Sequence, residues 1–290
     1  MHIAVLGAGL LGRPIAERLQ RTGHSVTVYN RTRHRTDGLT ELGITVAASP
    51  REAVESSDRI LLLLADAEAI RAVLSDQPTQ LFAGRIIIQM GTIGPAQSVA
   101  FQQDITAGGG EYCEAPVLGS VAEAQKGALL VLFGGTREQL IRCDEVLGSL
   151  SREPHYVGTV GKAAALKLAL NQLIAAEMAA FSLSLALVQQ EHVDVELFMA
   201  VLRKSALFAP TFDKKLPRLL SRDYSSPNFS VQHLVKDVHL FLERARAMKL
   251  ATSGLEGVIP LLSGAIDRGL ADVDYSAMFE TVSPQLTQDV

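Results

Sequence analysis

The feature that most constrains this chain is the glycine loop Gly7-Ala8-Gly9-Leu10-Leu11-Gly12, which follows the apolar run Ile3–Leu6 and opens a helical pattern. In a strand–loop–helix unit, Gly7 allows the tight turn and Gly9 lets a pyrophosphate approach the backbone. Gly12 lets the helix pack closely on the strand, and the N–H groups of the first helical turn face the phosphates. The loop therefore predicts a dinucleotide site, with cofactor contacts from Gly7, Gly9, Leu10, Leu11 and Gly12.

The residues after the second apolar run indicate which dinucleotide is bound. An NAD site usually carries Asp or Glu about 20 residues past the glycines to hold the ribose 2′-hydroxyl, whereas this chain has Asn30-Arg31-Thr32. Asn30 does not repel a 2′-phosphate, and the Arg31 guanidinium can pair with it through charge-assisted hydrogen bonds. We therefore expect NADP(H), held by Asn30, Arg31 and Thr32. The nearby Arg33 and Arg35 are expected to form a solvated face.

The order of elements predicts the fold class. Over the first 160 residues, short apolar runs alternate with helical patterns, which is typical of a doubly wound, mainly parallel sheet in a Rossmann-type domain. After Gly161 the strands stop, and 162–190 reads as one long helix with Ala and Leu on nearly every face. We predict an α/β NADP-binding domain over residues 1–160 and an all-α substrate and dimerisation domain over 161–290, linked by this helix. A helix that is apolar all round is buried on all sides, here between two domains or two subunits.

Composition excludes several other classes. The net charge of −4 argues against nucleic acid or an anionic membrane as partner. Mean hydropathy is +0.20, but no stretch of about 18 residues lacks a charge or a strongly polar group, as a membrane span requires. Cys113 and Cys143 cannot form a disulfide framework, and no histidine pair has a metal-binding spacing. With no signal-peptide pattern, we expect a cytoplasmic homodimer or dimer of dimers that binds a small molecule and no metal.

A lysine on the long helix is the first candidate for catalysis. Lys167 lies among alanines and leucines, and Asn171 follows it by four residues on the same helical face. Desolvation would lower the pKa of a buried lysine, which could then donate a proton near neutral pH, with Asn171 orienting it. Alternatively, the lysine lays its stem over apolar surface and keeps its ammonium in water. The segment itself favours neither interpretation.

Four blocks taken together resemble the β-hydroxyacid dehydrogenase family. They are the glycine loop, Glu114–Ser120, Gly158–Asn171 and Phe229–Leu240. The resemblance extends from Ile3 to about Val282, and the residues after the second strand look most like those of the family's NADPH-dependent semialdehyde reductases.

The resemblance implies roles for individual residues. Lys167 falls on the family's catalytic lysine and Asn171 on its partner asparagine. The implied substrate loop consists of Leu118, Gly119 and Ser120, and further implied cofactor contacts are Thr92 and Lys236. The implied reaction reduces a small aldehyde acid, of the glyoxylate or succinic semialdehyde type, to the hydroxy acid. Hydride would reach the carbonyl carbon while the Lys167 ammonium protonates the oxygen.

One departure from the family concerns the substrate. Leu118 stands where the family usually carries a serine whose hydroxyl binds the substrate carboxylate. Losing such a hydrogen bond to a charged group should cost roughly 1.5–3 kcal/mol, although backbone N–H groups at Gly119 and Ser120 could still hold an anion. Alternatives are therefore an NAD-dependent dehydrogenase of the 3-hydroxyisobutyrate type, a reductase of a carbonyl or imine without a carboxylate, and a non-catalytic NADP-binding scaffold.

Overall fold

The computed structural model describes residues 1–74 and 78–284. The chain forms two compact units, Met1–Leu168 and Ala169–Val290. Helix α7, Lys162–Gln190, begins in the first unit and continues into the second.

The first unit is a layered α/β structure. Its strands are β1 His2–Leu6, β2 Ser25–Tyr29, β3 Thr45–Val46, β4 Arg59–Leu62, β5 Ile86–Gln89, β6 Glu111–Glu114, β7 Val117–Leu118, β8 Leu130–Gly134 and β9 His155–Gly158. Its helices before α7 are α1 Gly12–Arg21, α2 Pro50–Glu55, α3 Ala67–Leu74, α4 Pro95–Ala107, α5 Val121–Lys126 and α6 Arg137–Leu150.

The strands form one sheet in the order β3-β2-β1-β4-β5-β6-β8-β7, with β9 paired to β8. Strands β1 to β6 are parallel, and β8 runs antiparallel to β6 and β7. The predicted doubly wound, mainly parallel sheet is thus confirmed. The strand order reverses between β1 and β4, and dinucleotides bind at such a switch point, beyond the carboxyl ends of the strands.

Side chains on both faces of this sheet are buried. In β1, Ile3 and Val5 belong to one hydrophobic cluster and Ala4 and Leu6 to another. Parallel strands covered by helices on both faces read as continuous apolar runs. For this reason β1, β4 and β5 were recognisable from sequence. Strand β9 was not predicted, because its residues are exposed or only half-buried.

The second unit is helical, as predicted. After α7 it contains α8 Val195–Lys204, α9 Pro210–Ser221, α10 Val231–Ala247, α11 Ser253–Glu256, α12 Ile259–Asp267 and α13 Phe279–Val282. The sequence analysis did not predict α9, which contains Pro217 within the helix. Pro210 occupies its first turn, where the missing N–H group costs little.

Helix α7 has one buried stripe rather than burial on all sides. Lys167, Asn171 and Met178 lie on this stripe, whose buried members recur every three or four residues. Four leucines are exposed in the single chain: Leu166, Leu173, Leu183 and Leu187. Within the described residues, α7 is also the one helix long and apolar enough to span a membrane by length and composition, a property shared by core helices of soluble proteins.

Candidate functional site

The glycine loop is packed as closely as its sequence predicts. The Gly7 N–H group donates to the Tyr29 carbonyl over 2.9 Å, and Gly7 has a φ of +111°. A Cβ atom on Gly7 would overlap the Leu63 carbonyl oxygen, and one on Gly12 would overlap the Gly7 carbonyl oxygen. A larger residue at Gly12 would therefore separate α1 from the end of β1, and one at Gly7 would push against the chain after β4.

Gly9, in contrast, faces open space. The nearest atom to the position that a Cβ would take there is Nη1 of Arg35, at 3.9 Å. No side chain caps the N-terminus of α1 at Leu11, and Leu10 beside it is exposed. An uncapped helix start, an open glycine and a nearby guanidinium together fit a dinucleotide pyrophosphate. The residues present therefore fit the cofactor that the loop predicts.

Asn30 joins the glycine loop to the loop after β2. Its Oδ1 atom accepts a hydrogen bond from the Ala8 N–H group over 2.9 Å, and its Nδ2 atom donates to the Thr32 carbonyl over 2.8 Å. Both ends of the amide are thus engaged by the protein, and Arg31 and Thr32 are exposed beyond it. Asn30 therefore holds the glycine loop and the loop after β2 together. It also brings no negative charge to the cofactor site.

Arg35 is a candidate cofactor residue that the sequence analysis assigned to a solvated face. A single 3₁₀ turn over Arg33–Thr36 brings it back toward the glycine loop, and the buried Thr36 hydroxyl donates to the Arg33 carbonyl over 2.6 Å. The Arg13 side chain also donates to the Asp37 carbonyl over 2.9 Å, which ties this turn to α1. The arginine spacing alone did not reveal this turn.

Lys167 lies in a cavity at the carboxyl edge of the sheet. The cavity has a volume of about 10 Å³, close to the space for one water molecule. It is lined by Gln89, Gly91, Thr92, Ile93, Glu114, Pro116, Ala164 and Lys167. Lys167 is 8% exposed, so of the two interpretations left open, the structure favours a buried lysine. The predicted cofactor residue Thr92 lies in the same cavity.

Glu114, at the end of β6, is a buried acid that the sequence analysis did not select as a functional residue. Its Oε2 atom accepts a hydrogen bond from the Ala163 N–H group over 3.2 Å, at the start of α7. Burial raises the pKa of its carboxyl, an effect opposed by hydrogen bonds from the Ser98 side chain and from backbone N–H groups of α7. Its Oε1 atom and the Gln89 Oε1 atom are buried without a hydrogen-bond partner among the described residues. The cavity thus combines a lysine with two oxygens that can accept hydrogen bonds.

In the second unit, Asn171 belongs to a buried polar cluster. Its Nδ2 atom donates to Asp237 Oδ2 over 2.6 Å, and the Lys236 ammonium lies 2.8 Å from Asp237 Oδ1. Asn171 and Asp237 are both buried. Asp237, on α10, therefore holds both Asn171 and the predicted cofactor residue Lys236 in place.

The predicted substrate loop differs from expectation in its hydrogen bonds. Leu118 is half-buried at the end of β7, and Gly119 has a φ of +135°. The Ser120 N–H group, expected to be available to an anion, instead donates to Glu123 Oε2 over 2.8 Å. Ser120 and Glu123 form a capping box at the start of α5.

Two family profiles together match most of the chain. The profile for the NAD binding domain of 6-phosphogluconate dehydrogenase matches residues 2–161, and that for the NAD-binding domain of NADP-dependent 3-hydroxyisobutyrate dehydrogenase matches residues 161–282. The chain is also 32% identical to glyoxylate/succinic semialdehyde reductase 1 of Arabidopsis thaliana, over 97% of this chain and 98% of that protein. The chain belongs to the β-hydroxyacid dehydrogenase family. It is therefore an oxidoreductase that uses a nicotinamide dinucleotide.

Two solved structures share this fold. The 3-hydroxyisobutyrate dehydrogenase of Salmonella typhimurium superimposes with a TM-score of 0.88 at 23% identity, covering 97% of this chain and 99% of that one. Psf3, solved in complex with NADP+ and 2-OPP, superimposes with a TM-score of 0.87 at 22% identity, covering 97% of this chain and all of the other. At these identities the likeness concerns the fold.

Proposed function

We propose that this chain is an NADP(H)-dependent reductase of short aldehydes or ketones, with Lys167 as the proton donor. The observation that carries the proposal is the placement of Lys167 in a water-sized cavity at the carboxyl edge of a dinucleotide-binding sheet. A general acid must lie within hydrogen-bond reach of the oxygen that it protonates. The cavity provides a lysine of this kind, largely removed from bulk water.

Lys167 acts on the carbonyl oxygen in this mechanism. When bound, the reduced dinucleotide supplies a hydride to the carbonyl carbon. The Lys167 ammonium donates a proton to the oxygen, and its charge stabilises the negative charge that develops there. In the reverse direction, the neutral Lys167 amine accepts the proton of the alcohol. Asn171 lies one turn after Lys167 on α7, and its hydrogen bond to Asp237 fixes this turn of the helix.

NADP(H) is the cofactor that the loop after β2 favours. Arg31 and Arg35 can pair with phosphate groups, and Asn30 brings no negative charge to the ribose. Thr32, Thr92 and Lys236 are proposed as further contacts, from the resemblance to the family. We expect a preference for NADPH over NADH of about tenfold or more, the equivalent of roughly 1.4 kcal/mol.

Two substrate classes are compatible with this reaction. The name of the Arabidopsis relative favours a short aldehyde acid such as glyoxylate or succinic semialdehyde. A carbonyl compound without a carboxylate is favoured by a specific observation, the engagement of the Ser120 N–H group by Glu123. A preference for NAD would instead favour dehydrogenation of the 3-hydroxyisobutyrate type.

The test is a comparison of Lys167→Ala with Lys162→Ala, which removes an exposed lysine from the first turn of the same helix. Oxidation of NADPH and NADH is followed at neutral pH over short aldehydes and 2-oxo acids. Loss of a general acid should lower kcat by roughly 100-fold or more in Lys167→Ala, with NADPH binding unchanged. Lys162→Ala should keep the wild-type rate. Full activity in Lys167→Ala would contradict the assignment, and NADPH binding without turnover of any carbonyl would favour a non-catalytic NADP-binding protein.

We also propose that the chain forms a homodimer, or a dimer of dimers, through the exposed apolar surface of its second unit. Leu183 and Leu187 of α7 are 66% and 62% exposed, and Leu197 and Val201 of α8 are exposed as well. Contiguous apolar patches on a soluble protein mark interaction sites. A second copy of the same helices would provide an apolar partner surface.

A further inference from the structure

We propose that Glu123 makes the substrate loop selective for carbonyl compounds whose far end is uncharged, against those that carry a carboxylate. The inference rests on the proposed reductase function and names its substrate class. It departs from the substrates in the name of the Arabidopsis relative.

The loop continues directly from the wall of the Lys167 cavity. Glu114 and Pro116 both line the cavity. The next residues form β7, whose backbone pairs with β8 through Val117 with Val131 and Leu118 with Leu130. This pairing fixes the direction in which the chain leaves the cavity. Residues 118–120 are thus the first part of the chain that a substrate extending along this wall would meet.

Every polar group of Ser120 is engaged inside the protein. Its N–H and hydroxyl groups both donate to Glu123 Oε2, the former over 2.8 Å. Its Oγ atom also accepts a hydrogen bond from the Ala122 N–H group over 3.3 Å. The two donors that an incoming carboxylate would use at Ser120 therefore already hold a carboxylate of the protein itself.

The side chains next to Ser120 do not replace these donors. The side chain of Leu118 cannot donate a hydrogen bond. The Cβ atom of Glu123 lies 3.2 Å from the position that a Cβ on Gly119 would take, so the glutamate stem packs against the loop backbone. The Glu123 carboxylate is therefore a fixed negative group of this loop and is partly shielded from solvent.

The charges lining the cavity add no net attraction for an anion. They are the Lys167 ammonium and the Glu114 carboxyl. A carboxylate of the substrate held at this loop would meet the negative charge of Glu123, and like charges at short range repel more strongly where water is excluded. An uncharged substrate avoids this cost and leaves the Lys167 ammonium to serve the carbonyl oxygen.

The experiment compares succinic semialdehyde with its methyl ester, which has the same carbon chain and no charge at the far end. Values of kcat/KM are measured for the wild type and for Glu123→Gln, with NADPH saturating. The glutamine can still accept the hydrogen bonds of Ser120, so the helix cap is retained while the charge is removed. Glu52→Gln is the control, because Glu52 also accepts a backbone N–H bond at the N-terminus of a helix, from Ala48 before α2.

We expect the wild type to favour the ester by about tenfold or more, the scale of one charge–charge interaction near a protein surface. Glu123→Gln should shift the acid-to-ester ratio toward the acid by a similar factor, and Glu123→Ala with Leu118→Ser should shift it further. Glu52→Gln should leave the ratio unchanged.

The possible failures are distinguishable. If the wild type reduces the acid as well as the ester, and Glu123→Gln leaves their ratio unchanged, the selectivity is refuted while the reductase function stands. If neither compound nor any other carbonyl is reduced, the proposed function fails and the inference fails with it. An equal shift in Glu52→Gln would attribute the effect to overall charge and would also overturn the inference.

Discussion

Glu114 is held at the carboxyl end of β6 with almost no contact with water. Its carboxyl caps the start of α7, where backbone N–H groups and the helix dipole favour negative charge. Burial acts in the opposite direction and raises the pKa of the carboxyl. Glu114 therefore both lines the Lys167 cavity and caps the N-terminus of α7, so its ionisation affects both.

The raised pKa of Glu114 predicts a pH dependence of stability. Because the folded state binds this proton more tightly than the unfolded state, the free energy of unfolding falls as pH rises above about 4.5, the ordinary value for Glu. The fall stops once the folded carboxyl has also ionised. Glu114→Gln removes this contribution. The free energy of unfolding of the wild type minus that of the variant should therefore decrease as pH rises, by at most about 1.4 kcal/mol per pH unit.

Urea unfolding of both proteins between pH 4.5 and 8 would measure this difference. Because other titrating groups are common to both proteins, they cancel in the subtraction. A difference that stays constant or increases over this range would show that the helix cap, rather than burial, dominates the pKa of Glu114.

Arg35 and Glu123 are parts of the site that the sequence analysis did not recognise. Gly7, Asn30 and Lys167 belong to local patterns whose chemistry is evident from residue type and spacing. The role of Arg35 depends on a 3₁₀ turn that returns it to Gly9. That of Glu123 depends on a capping box that uses the donors of Ser120. The turn that places Arg35 is not encoded by hydrophobic periodicity, whereas the Ser120-x-x-Glu123 spacing is a sequence signature of a capping box that the sequence analysis did not use.

At the scale of elements, helix α9 is held by a buried ion pair. The Lys215 ammonium donates to both carboxylate oxygens of Asp274, over 2.8 and 2.7 Å, and lies 4.3 Å from the centre of the Tyr275 ring. Asp274 also accepts hydrogen bonds from Asn228 and Ser276. The pair connects α9 to the turn before α13, and it explains how a helix with an internal proline keeps its place. Sequence periodicity could not predict α9, because Pro217 interrupts the helical pattern and Asp274 lies 59 residues from Lys215.

Removing one member of this pair should destabilise the second unit strongly. Lys215→Met leaves the Asp274 carboxylate buried without its counter-ion, which we expect to cost about 3 kcal/mol or more. Arg203→Met is the control, since Arg203 pairs with Asp213 at the surface and such pairs contribute about 1 kcal/mol or less. Chemical unfolding followed by circular dichroism measures both. Adding Asp274→Asn to Lys215→Met should recover part of the loss, and a loss in Lys215→Met no larger than in Arg203→Met would contradict the role of the pair.

At the scale of the whole molecule, the two units are stabilised differently. The first unit buries both faces of its sheet, and its architecture could be predicted from apolar runs and the glycine loop. The second unit buries one stripe of α7 and leaves leucines exposed on α7 and α8. The sequence of α7 predicts burial on all sides, and a single chain does not provide it. The apolar residues that remain in contact with solvent are the physical basis for expecting a second copy.

The homodimer proposal predicts that charges on this surface will separate the subunits. Leu183→Glu and Leu187→Glu each place a carboxylate where an apolar partner surface would lie, and an uncompensated buried charge costs several kcal/mol. We expect the wild type to have at least twice the monomer mass by light scattering at low micromolar concentration, and the double variant to have the monomer mass. Ile141→Glu is the matched control, because Ile141 is also an exposed apolar residue, on α6 of the first unit. Retention of the wild-type mass by the double variant, or a monomeric wild type, would exclude this surface as the interface.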